Sequence, residues 1–212
     1  MFPGRHVSVF NNAIDLSSFT FDRGAREDLR SRLGISPRAI VIGHTGRFTF
    51  QKNHDWIVRV FSKFTELFKD SYLLLVGTGP LESETRRLAK DLQIGDRVIF
   101  SGQQNDLQSY LSAMDVFCFP SHFEGFGISL LESQTNGLRA LVSDVVNDEI
   151  CLTQAVTKLS LNASANKWAS VLVTLNRMGR YDSFDQIKEL QDSGYDMQTQ
   201  WKRLIELYGL AL

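Results

Sequence analysis

Two glutamates, Glu124 and Glu132, stand eight positions apart in the segment SHFEGFGISLLES, and a Gly-Phe-Gly run follows the first directly. Glycine allows positive φ and close approach to a ligand, and it is unfavourable inside a helix. The segment is therefore predicted to be a tight turn that opens a helix near Gly127, with Glu132 about one turn inside it. Carboxylates accept hydrogen bonds, and sugars and ribose supply hydroxyl donors in pairs. A helix-cap glutamate and a surface glutamate form the plainer alternative.

Two cations, Arg47 and Lys52, stand five positions apart in the loop TGRFTFQKNH, which leads into a helix predicted to start near Asn53. Asparagine is a favourable N-cap residue. A helix N-terminus beside two cations is a site for anions, phosphate above all. Spacing alone still favours solvated surface charges, and His54 is more simply a residue of the first helical turn than a catalyst.

The run GTGP at 77–80 matches the start of the dinucleotide fingerprint G-x-G-x-x-G, but Glu82 stands where the third glycine is required. Two interpretations carry equal weight, a tight turn from strand to helix and a close approach of backbone to a ligand. A nicotinamide-dependent oxidoreductase is disfavoured.

The elements that must position these residues are short apolar runs alternating with helical stretches. Six runs, most of them rich in Val, Ile or Phe, look like buried parallel strands, and they read RAIVIGHTG, SYLLLVGTG, DRVIFSG, MDVFCFPS, RALVSD and AVTKLSL. Together they predict an α/β, Rossmann-like, doubly wound parallel sheet of about six strands with C-terminal helices. In such sheets ligands bind beyond the carboxyl ends of the strands, and the loops that carry Arg47, Gly79 and Glu124 lie there.

Composition sets outer limits on function. The 212 residues are 43% hydrophobic and 22% charged with a net charge of −1, so the chain can bury a core and has no global electrostatic footprint for nucleic acid. No apolar run approaches ~18 residues, which predicts no membrane span. Cys118 and Cys151 lie in apolar surroundings without metal-ligand spacing. They are interpreted as buried thiols in a reducing compartment, which predicts a cytoplasmic location.

The pattern P-S-x-x-E-G-F-G-x-x-x-L-E resembles the E-x7-E signature of family 4 (group 1) glycosyltransferases of the GT-B fold, in the bacterial capsular and exopolysaccharide type. Further segments follow in that family's order, namely N-x-I-D at 12–15, G-R-F…K-N-H at 46–54, L-L-V-G-x-G-P at 74–80, V-I-F-S-G at 98–102, A-M-D-V-F at 113–117 and L-V-S-D at 141–144. The resemblance covers roughly residues 8–160.

The resemblance implies two Rossmann-like domains that face each other across a cleft, with this chain as the C-terminal, donor-binding half. Residues 1–212 would form the nucleotide-sugar-binding domain, with 166–212 as a helical C-terminal extension and the N-terminal acceptor domain absent. It implies a retaining transfer of a sugar from a nucleotide-diphosphate-sugar to a saccharide or lipid-linked acceptor in polysaccharide biosynthesis. The alternative is a nucleotide-sugar-binding module, or a partner subunit of a split transferase, without turnover.

The resemblance also implies roles for individual residues. Arg47 and Lys52 would grip the donor diphosphate, Glu124 would face the donor sugar, and these three form the implied catalytic set. Glu132 would accept hydrogen bonds from ribose, and the backbone at Gln103 would read the base. The full implied donor-binding set is Gly46, Arg47, Lys52, Gly79, Gln103, Glu124, Gly125, Phe126, Gly127, Ile128 and Glu132.

No metal and no cofactor are expected, because the family resembles metal-independent enzymes and this sequence has no Asp-x-Asp motif. A UDP- or GDP-sugar is the implied substrate. The implied partners are the acceptor and an N-terminal domain or partner chain, with room for a homodimer through an exposed apolar face and for peripheral association with the inner face of the membrane. The sequence departs from the family at Arg139, where proline is common, and at Val146 and Asn147, where a glycine pair is common.

Overall fold

The computed structural model describes residues 10–181 and 183–209, with the side chains of 183–185 excluded. Six parallel strands form one sheet in the order β3-β2-β1-β4-β5-β6. They are β1 (Ile40–Thr45), β2 (Ser71–Val76), β3 (Val98–Phe100), β4 (Val116–Phe119), β5 (Arg139–Ser143) and β6 (Val156–Leu159). The predicted six-stranded parallel sheet is confirmed, and each strand lies within one of the six predicted runs.

Helices cover both faces of this sheet. They are α1 (Arg23–Arg32), α2 (His54–Leu67), α3 (Glu82–Asp91), α4 (Leu107–Ala113), α5 (Ile128–Thr135), α6 (Ala165–Met178), α7 (Ser183–Asp192) and α8 (Met197–Leu207). Alternate strand residues point to opposite faces, so Leu73 and Leu75 pack on the side of α2, α3 and α6, whereas Leu74 packs on the side of α1, α4 and α5. The sheet is therefore buried on both faces, as its continuous apolar runs predict.

A third, smaller core joins the two ends of the described chain. Ile14 and Leu16 pack with Leu190 and Tyr195 against Leu131 of α5. Backbone hydrogen bonds tie Ile14 to the segment before α8, with its N–H donating to the carbonyl of Tyr195 at 3.1 Å. The C-terminal helices thus support the helix that carries Glu132.

The strand order places a topological switch between β1 and β4. From β1 the chain adds β2 and β3 on one side, and it then returns to add β4, β5 and β6 on the other. Loops after β1 and β4 therefore diverge and leave a crevice at the carboxyl edge of the sheet. The loops that carry Arg47 and Glu124 follow these two strands.

Two local predictions need correction, and one helix was missed. Asn53 does not cap α2 with its side chain: it has φ 55° and ψ 47°, and its amide donates to the carbonyl of Pro120 at 3.1 Å. That bond joins the loop after β1 to the end of β4. Cys118 is fully buried as predicted, but Cys151 is only half-buried. Helix α1 was not predicted at all, because its sequence RGAREDLRSR offers only one large apolar residue, Leu29.

Candidate functional site

A cavity of about 880 Å³ opens at the carboxyl edge of the sheet. We call it the carboxyl-edge cavity. Three strand-end loops and the first turn of α5 enclose it, and its volume is in the range of small-molecule and cofactor sites. Its lining consists of Thr45, Gly46, Arg47, Val76, Gly77, Thr78, Gly79, Pro80, Gln103, Gln104, Leu107, Ile128, Ser129 and Glu132. Six of the sequence-predicted donor-binding residues are among them: Gly46, Arg47, Gly79, Gln103, Ile128 and Glu132.

The glycines of the GTGP run allow two loops to touch. A Cβ at Gly77, where φ is +134°, would lie 2.1 Å from the carbonyl oxygen of Gly46. A Cβ at Gly79 would lie 2.5 Å from the carbonyl oxygen of Phe48. The loops are also hydrogen-bonded, since the N–H of Phe48 donates to the carbonyl of Thr78 at 3.1 Å. These contacts favour the interpretation that the glycines shape the cavity wall by backbone packing.

Lys52 and Glu124 form a buried ion pair beside the cavity. The Lys52 Nζ lies 2.8 Å from the Glu124 Oε1, and the two side chains are 15% and 4% exposed. Gln51 donates from Nε2 to the other carboxylate oxygen at 3.2 Å. The ammonium also lies 4.7 Å from the centroid of the Phe119 ring. The two catalytic candidates are therefore in direct contact, and each neutralises the other's charge.

Glu132 is a buried acid on the wall of the carboxyl-edge cavity. Its exposed fraction is 9%, and its carboxyl has no hydrogen-bond partner among the described residues. Burial raises its pKa from the ordinary 4.5 to about 7, and the nearby positive charge of Lys52 opposes that rise. A carboxyl without a partner is ready to accept hydrogen bonds from a ligand.

The first turn of α5 presents backbone donors to the same space. Gly127 precedes the helix with φ +76°, a conformation that glycine adopts without strain. Within the described part of the chain, the amides of Ile128 and Ser129 have no hydrogen-bond acceptor. Both residues line the cavity. The helix N-terminus and its free N–H groups form a site for an anion.

Arg47 supplies an exposed cation on the opposite wall. Its side chain is exposed, and it has no salt bridge among the residues described. It follows β1, whereas the α5 amides follow β4, so the two anion-binding features face the cavity from the two sides of the switch point. Gln103 lines the cavity beyond β3, at some remove from both.

Five predicted donor-binding residues do not line the cavity, namely Lys52, Glu124, Gly125, Phe126 and Gly127. The Phe126 ring stacks on Tyr195 at 5.3 Å between centroids, so it supports the loop from behind. A Cβ at Gly125 would meet nothing within 4 Å, whereas one at Gly127 would lie 2.7 Å from Ile150. Phe126 and Gly127 therefore hold the turn in shape, and neither residue lines the cavity.

Two buried histidines lie behind Lys52: His44, which was not predicted from the sequence, and His54, which begins α2 as predicted. The rings of His44 and His54 meet edge to face at 4.8 Å, and His44 Nδ1 donates to the carbonyl of Cys118 at 2.8 Å. Burial and the positive charge of Lys52 lower both pKa values, that of His54 to about 3. Both rings are therefore neutral and pack beneath the loop. Gln51 was also missed, because only the folded chain brings it to Glu124.

No group of three or more His, Cys, Asp or Glu side chains among the described residues could hold a metal ion. In that same part of the chain no helix combines the length and hydropathy needed to cross a membrane.

Comparisons with known proteins place this architecture in context. The sequence profile of the family described as glycosyl transferases group 1 matches residues 25–162. The chain is 30% identical over 207 residues to EpsF of Bacillus subtilis (strain 168), which carries the name glycosyltransferase, and the match covers 97% of this chain and 54% of EpsF. It is 32% identical over 154 residues to an Escherichia coli protein named UDP-Gal:alpha-D-GlcNAc-diphosphoundecaprenol alpha-1,3-galactosyltransferase, with coverage of 70% and 39%.

A solved structure agrees on the fold. The crystal structure of Anabaena HepE in complex with UDP and glucose superposes with a TM-score of 0.78 at 18% identity, over 95% of this chain and 56% of HepE. These matches confirm the predicted family and the predicted Rossmann-like half of a GT-B fold. The chain spans about half the length of the first relatives it matches, or less.

Proposed function

The chain belongs to the group 1 glycosyl transferases, and from that premise we propose that it is the donor-binding part of a retaining transferase. The donor is a nucleotide-diphosphate-sugar, and the sugar passes to a saccharide or lipid-linked acceptor during glycan biosynthesis. The observation that carries this proposal is the carboxyl-edge cavity, where free anion-binding groups and an unpartnered carboxyl face one space.

The diphosphate fits between Arg47 and the first turn of α5. Arg47 offers a planar fork of donors that suits phosphate oxygens, and the free amides of Ile128 and Ser129 add backbone donors at the positive end of a helix dipole. Lys52 lies close enough to the cavity to lower the pKa of Glu132, and it would be the second cation for the diphosphate. The arrangement would hold two phosphates without a metal ion.

The nucleoside fits along the rest of the cavity. The unpartnered Glu132 carboxyl lies one helical turn beyond the free amides and would accept hydrogen bonds from the two ribose hydroxyls. Gln103 lies farther out, beyond β3, where the backbone would contact the base. With backbone contacts, the choice of base would depend on the shape of this loop more than on the identity of its side chains.

Charge stabilisation is the proposed contribution to catalysis. When the bond between the anomeric carbon and the diphosphate oxygen breaks, its electron pair stays with the departing diphosphate. Arg47, Lys52 and the α5 amides would stabilise that added charge, and preorganised donors of this kind are a major source of rate enhancement. Glu124 would position the sugar and balance positive charge near the anomeric carbon.

The names of two similar proteins guide the choice of donor and acceptor for this proposal. The Escherichia coli relative is named for a UDP-galactose donor and a diphosphoundecaprenol-linked acceptor, and the HepE complex contains UDP and glucose. We therefore favour a UDP-sugar and a lipid-linked saccharide acceptor, with GDP-sugar as the second choice. Such an acceptor would bring the protein to the inner face of the membrane, and a region equivalent to the part of the relatives that this chain does not cover would supply the acceptor domain.

A binding module without turnover is the second candidate, because the site would hold a nucleotide-sugar with or without an acceptor domain. Calorimetric titration of the chain with UDP, GDP and ADP in the presence of EDTA tests both. We expect UDP to bind, and we expect Arg47→Ala and Glu132→Ala each to weaken it by ~1–3 kcal/mol. Arg87→Ala, which removes an exposed arginine outside the cavity, is the matched control.

The outcomes separate the hypotheses. If no nucleotide binds, or if Arg87→Ala weakens UDP as much as Arg47→Ala does, the donor-site proposal is wrong. If UDP binds as expected, the chain is then mixed with an acceptor domain from a relative and the lipid-linked acceptor. Sugar transfer supports the transferase, and binding without transfer supports the module.

A further inference from the structure

A second cavity, of about 620 Å³, lies at the opposite, amino edge of the sheet. We call it the amino-edge cavity. Arg23, Arg26 and Arg30 of α1 line one side, and Ser36 in the turn before β1 and Tyr72 at the start of β2 line the other. Because the amino and carboxyl ends of parallel strands lie at opposite edges, this cavity is separate from the proposed donor site.

Three arginines converge on the last turn of α4, and two of them, Arg26 and Arg30, also line this cavity. Arg26, Arg30 and Arg180 donate to backbone carbonyls between Leu111 and Met114 at 2.7 to 3.2 Å. Carbonyls at a helix C-terminus attract cations, so these bonds explain why the guanidinium groups gather there. Carbonyl oxygens satisfy hydrogen bonds, but they do not cancel a full positive charge.

One carboxylate faces the three cations. Asp115 pairs with Arg26 through Oδ1 and with Arg30 through Oδ2, the latter at 2.7 Å, and Arg180 has no salt bridge among the described residues. The Arg30 side chain is 4% exposed. Burial and the neighbouring arginines lower the pKa of Arg180 to about 9. The cluster therefore holds excess positive charge in a poorly hydrated place.

The lining of the cavity adds to this excess. Arg23 is exposed to the cavity and forms no salt bridge in the described part of the chain, and Glu27 is the one carboxylate in the lining. The chain as a whole has a net charge of −1, so the positive charge is local. An anion entering the cavity would compensate charge that the fold leaves uncompensated.

We propose that the amino-edge cavity binds a phosphate-bearing anion at a site distinct from the donor site. Arg23 would contact the phosphate directly, Arg26 and the buried Arg30 would add positive charge beneath it, and the hydroxyls of Ser31 and Ser36 would donate to its oxygens. Arginine forks match the several oxygens of phosphate better than a single carboxylate. Tyr72 and Phe21 supply a ring surface for the organic part of the ligand.

A soluble phosphate ester and an anionic lipid headgroup both present this chemistry. The test uses the whole 212-residue chain with Arg47→Ala in the background, which weakens binding of the probe at the proposed donor site. Inorganic pyrophosphate is titrated, and amide NMR shifts are followed at Gly34, Ser36 and Tyr72. We expect saturable shifts at these amides, weakened at least about fivefold by Arg23→Ser, which is about 1 kcal/mol.

Arg38→Ser is the matched control, because Arg38 is an exposed arginine close to the cavity in sequence but outside its lining. It should change the apparent Kd less than about twofold. The substitution at Arg23 spares the α4 contacts of Arg26 and Arg30, so the variant is expected to fold, and its circular dichroism and unfolding midpoint verify this. Equal weakening by the two variants would show only diffuse electrostatics and would overturn the site.

A vesicle arm separates the two ligand sources. Sedimentation with phosphatidylglycerol vesicles, but not with phosphatidylcholine vesicles, together with loss in Arg23→Ser, would identify a lipid headgroup. Pyrophosphate shifts without vesicle binding would identify a soluble phosphate ester. If pyrophosphate up to ~10 mM shifts none of the amides of Gly34, Ser36 and Tyr72, and the vesicles do not bind the protein, the proposal is wrong. At that concentration only very weak binding would escape detection.

Discussion

Replacing Glu132 by glutamine should stabilise the unliganded protein in a pH-dependent way. The carboxyl is buried at 9% exposure without a partner among the described residues, and its pKa is raised to about 7. A carboxyl whose pKa is higher folded than unfolded resists losing its proton in the native state. It therefore costs stability once the pH exceeds the unfolded pKa, and glutamine removes that cost with nearly the same shape.

The magnitude follows from the two pKa values. Below the ordinary value of 4.5 both states are protonated, and Glu132 contributes no pH-dependent term. The cost grows as the pH rises from 4.5, and it levels off above the folded value of about 7. At about 1.4 kcal/mol for each pKa unit, the plateau is about 3 kcal/mol at pH 8, against less than about 1 kcal/mol at pH 5.

Urea unfolding at pH 5 and pH 8, followed by the fluorescence of tryptophan, measures this difference. Trp168 is fully buried in the core and reports the transition. Glu132→Gln should raise the free energy of unfolding by about 3 kcal/mol at pH 8 and by less than about 1 kcal/mol at pH 5. The same variant should bind UDP more weakly, because the amide offers ribose one acceptor oxygen in place of a carboxylate.

Glu124→Gln is the matched control, and its effect should have the opposite sign. Glu124 is paired with Lys52 at 2.8 Å, so neutralising it leaves a buried ammonium with a weaker partner. We expect a loss of about 1–3 kcal/mol at pH 8. If Glu132→Gln raises the free energy of unfolding equally at both pH values, or does not raise it at pH 8, then Glu132 is not a buried carboxyl with a raised pKa.

Three further predictions concern the same region. Glu124→Gln should tighten binding of UDP about fivefold in calorimetry, because the ammonium gives up a charge-assisted bond that is roughly twice as strong as a neutral one; weaker binding would contradict this. Gly79→Ala should lower the free energy of unfolding by more than about 2 kcal/mol, because its Cβ would lie 2.5 Å from a backbone oxygen. Gly125→Ala, with open space around the Cβ, should change it by less than about 0.5 kcal/mol. A thiol reagent should modify Cys151 slowly and leave Cys118 intact until the protein unfolds, because burial raises the pKa of both thiols and fully encloses Cys118; mass spectrometry of the labelled protein would detect the reverse order.

The sheet and the location of the site were predictable because they depend on local pattern. Apolar runs of strand length, most of them closed by Gly, Ser or Asp, identify buried parallel strands, and the carboxyl-edge rule then selects the loops. The turn at Gly127 and the position of Glu132 in α5 were predicted for the same reason. Each of these features is encoded within about a dozen neighbouring residues.

The contacts between loops were not predictable, because they join segments far apart in sequence. The bond from Gln51 to Glu124 spans 73 positions, and Asn53 reaches Pro120 across 67. Asn53 therefore gave up its predicted capping role for a tertiary contact that no local pattern reveals. The residue types at Gly77 and Gly79 indicated close approach, but only the fold shows that loop packs on loop.

Lys52 is already neutralised in the unliganded site, and this shapes how a donor would bind. Lys52 is held by Glu124, and the raised pKa of Glu132 keeps much of that carboxyl protonated near neutral pH. A diphosphate that draws Lys52 toward itself would therefore release an oxygen of Glu124, which a sugar hydroxyl could then occupy. A nucleotide diphosphate without its sugar would weaken the bond from Lys52 to Glu124 and supply no sugar hydroxyl to replace it. The ion pair would therefore favour binding of the nucleotide-sugar over binding of the nucleotide diphosphate. In this arrangement a single buried pair couples the phosphate and sugar positions, which is the physical reason to expect Glu124→Gln to tighten UDP while it weakens a UDP-sugar relative to UDP.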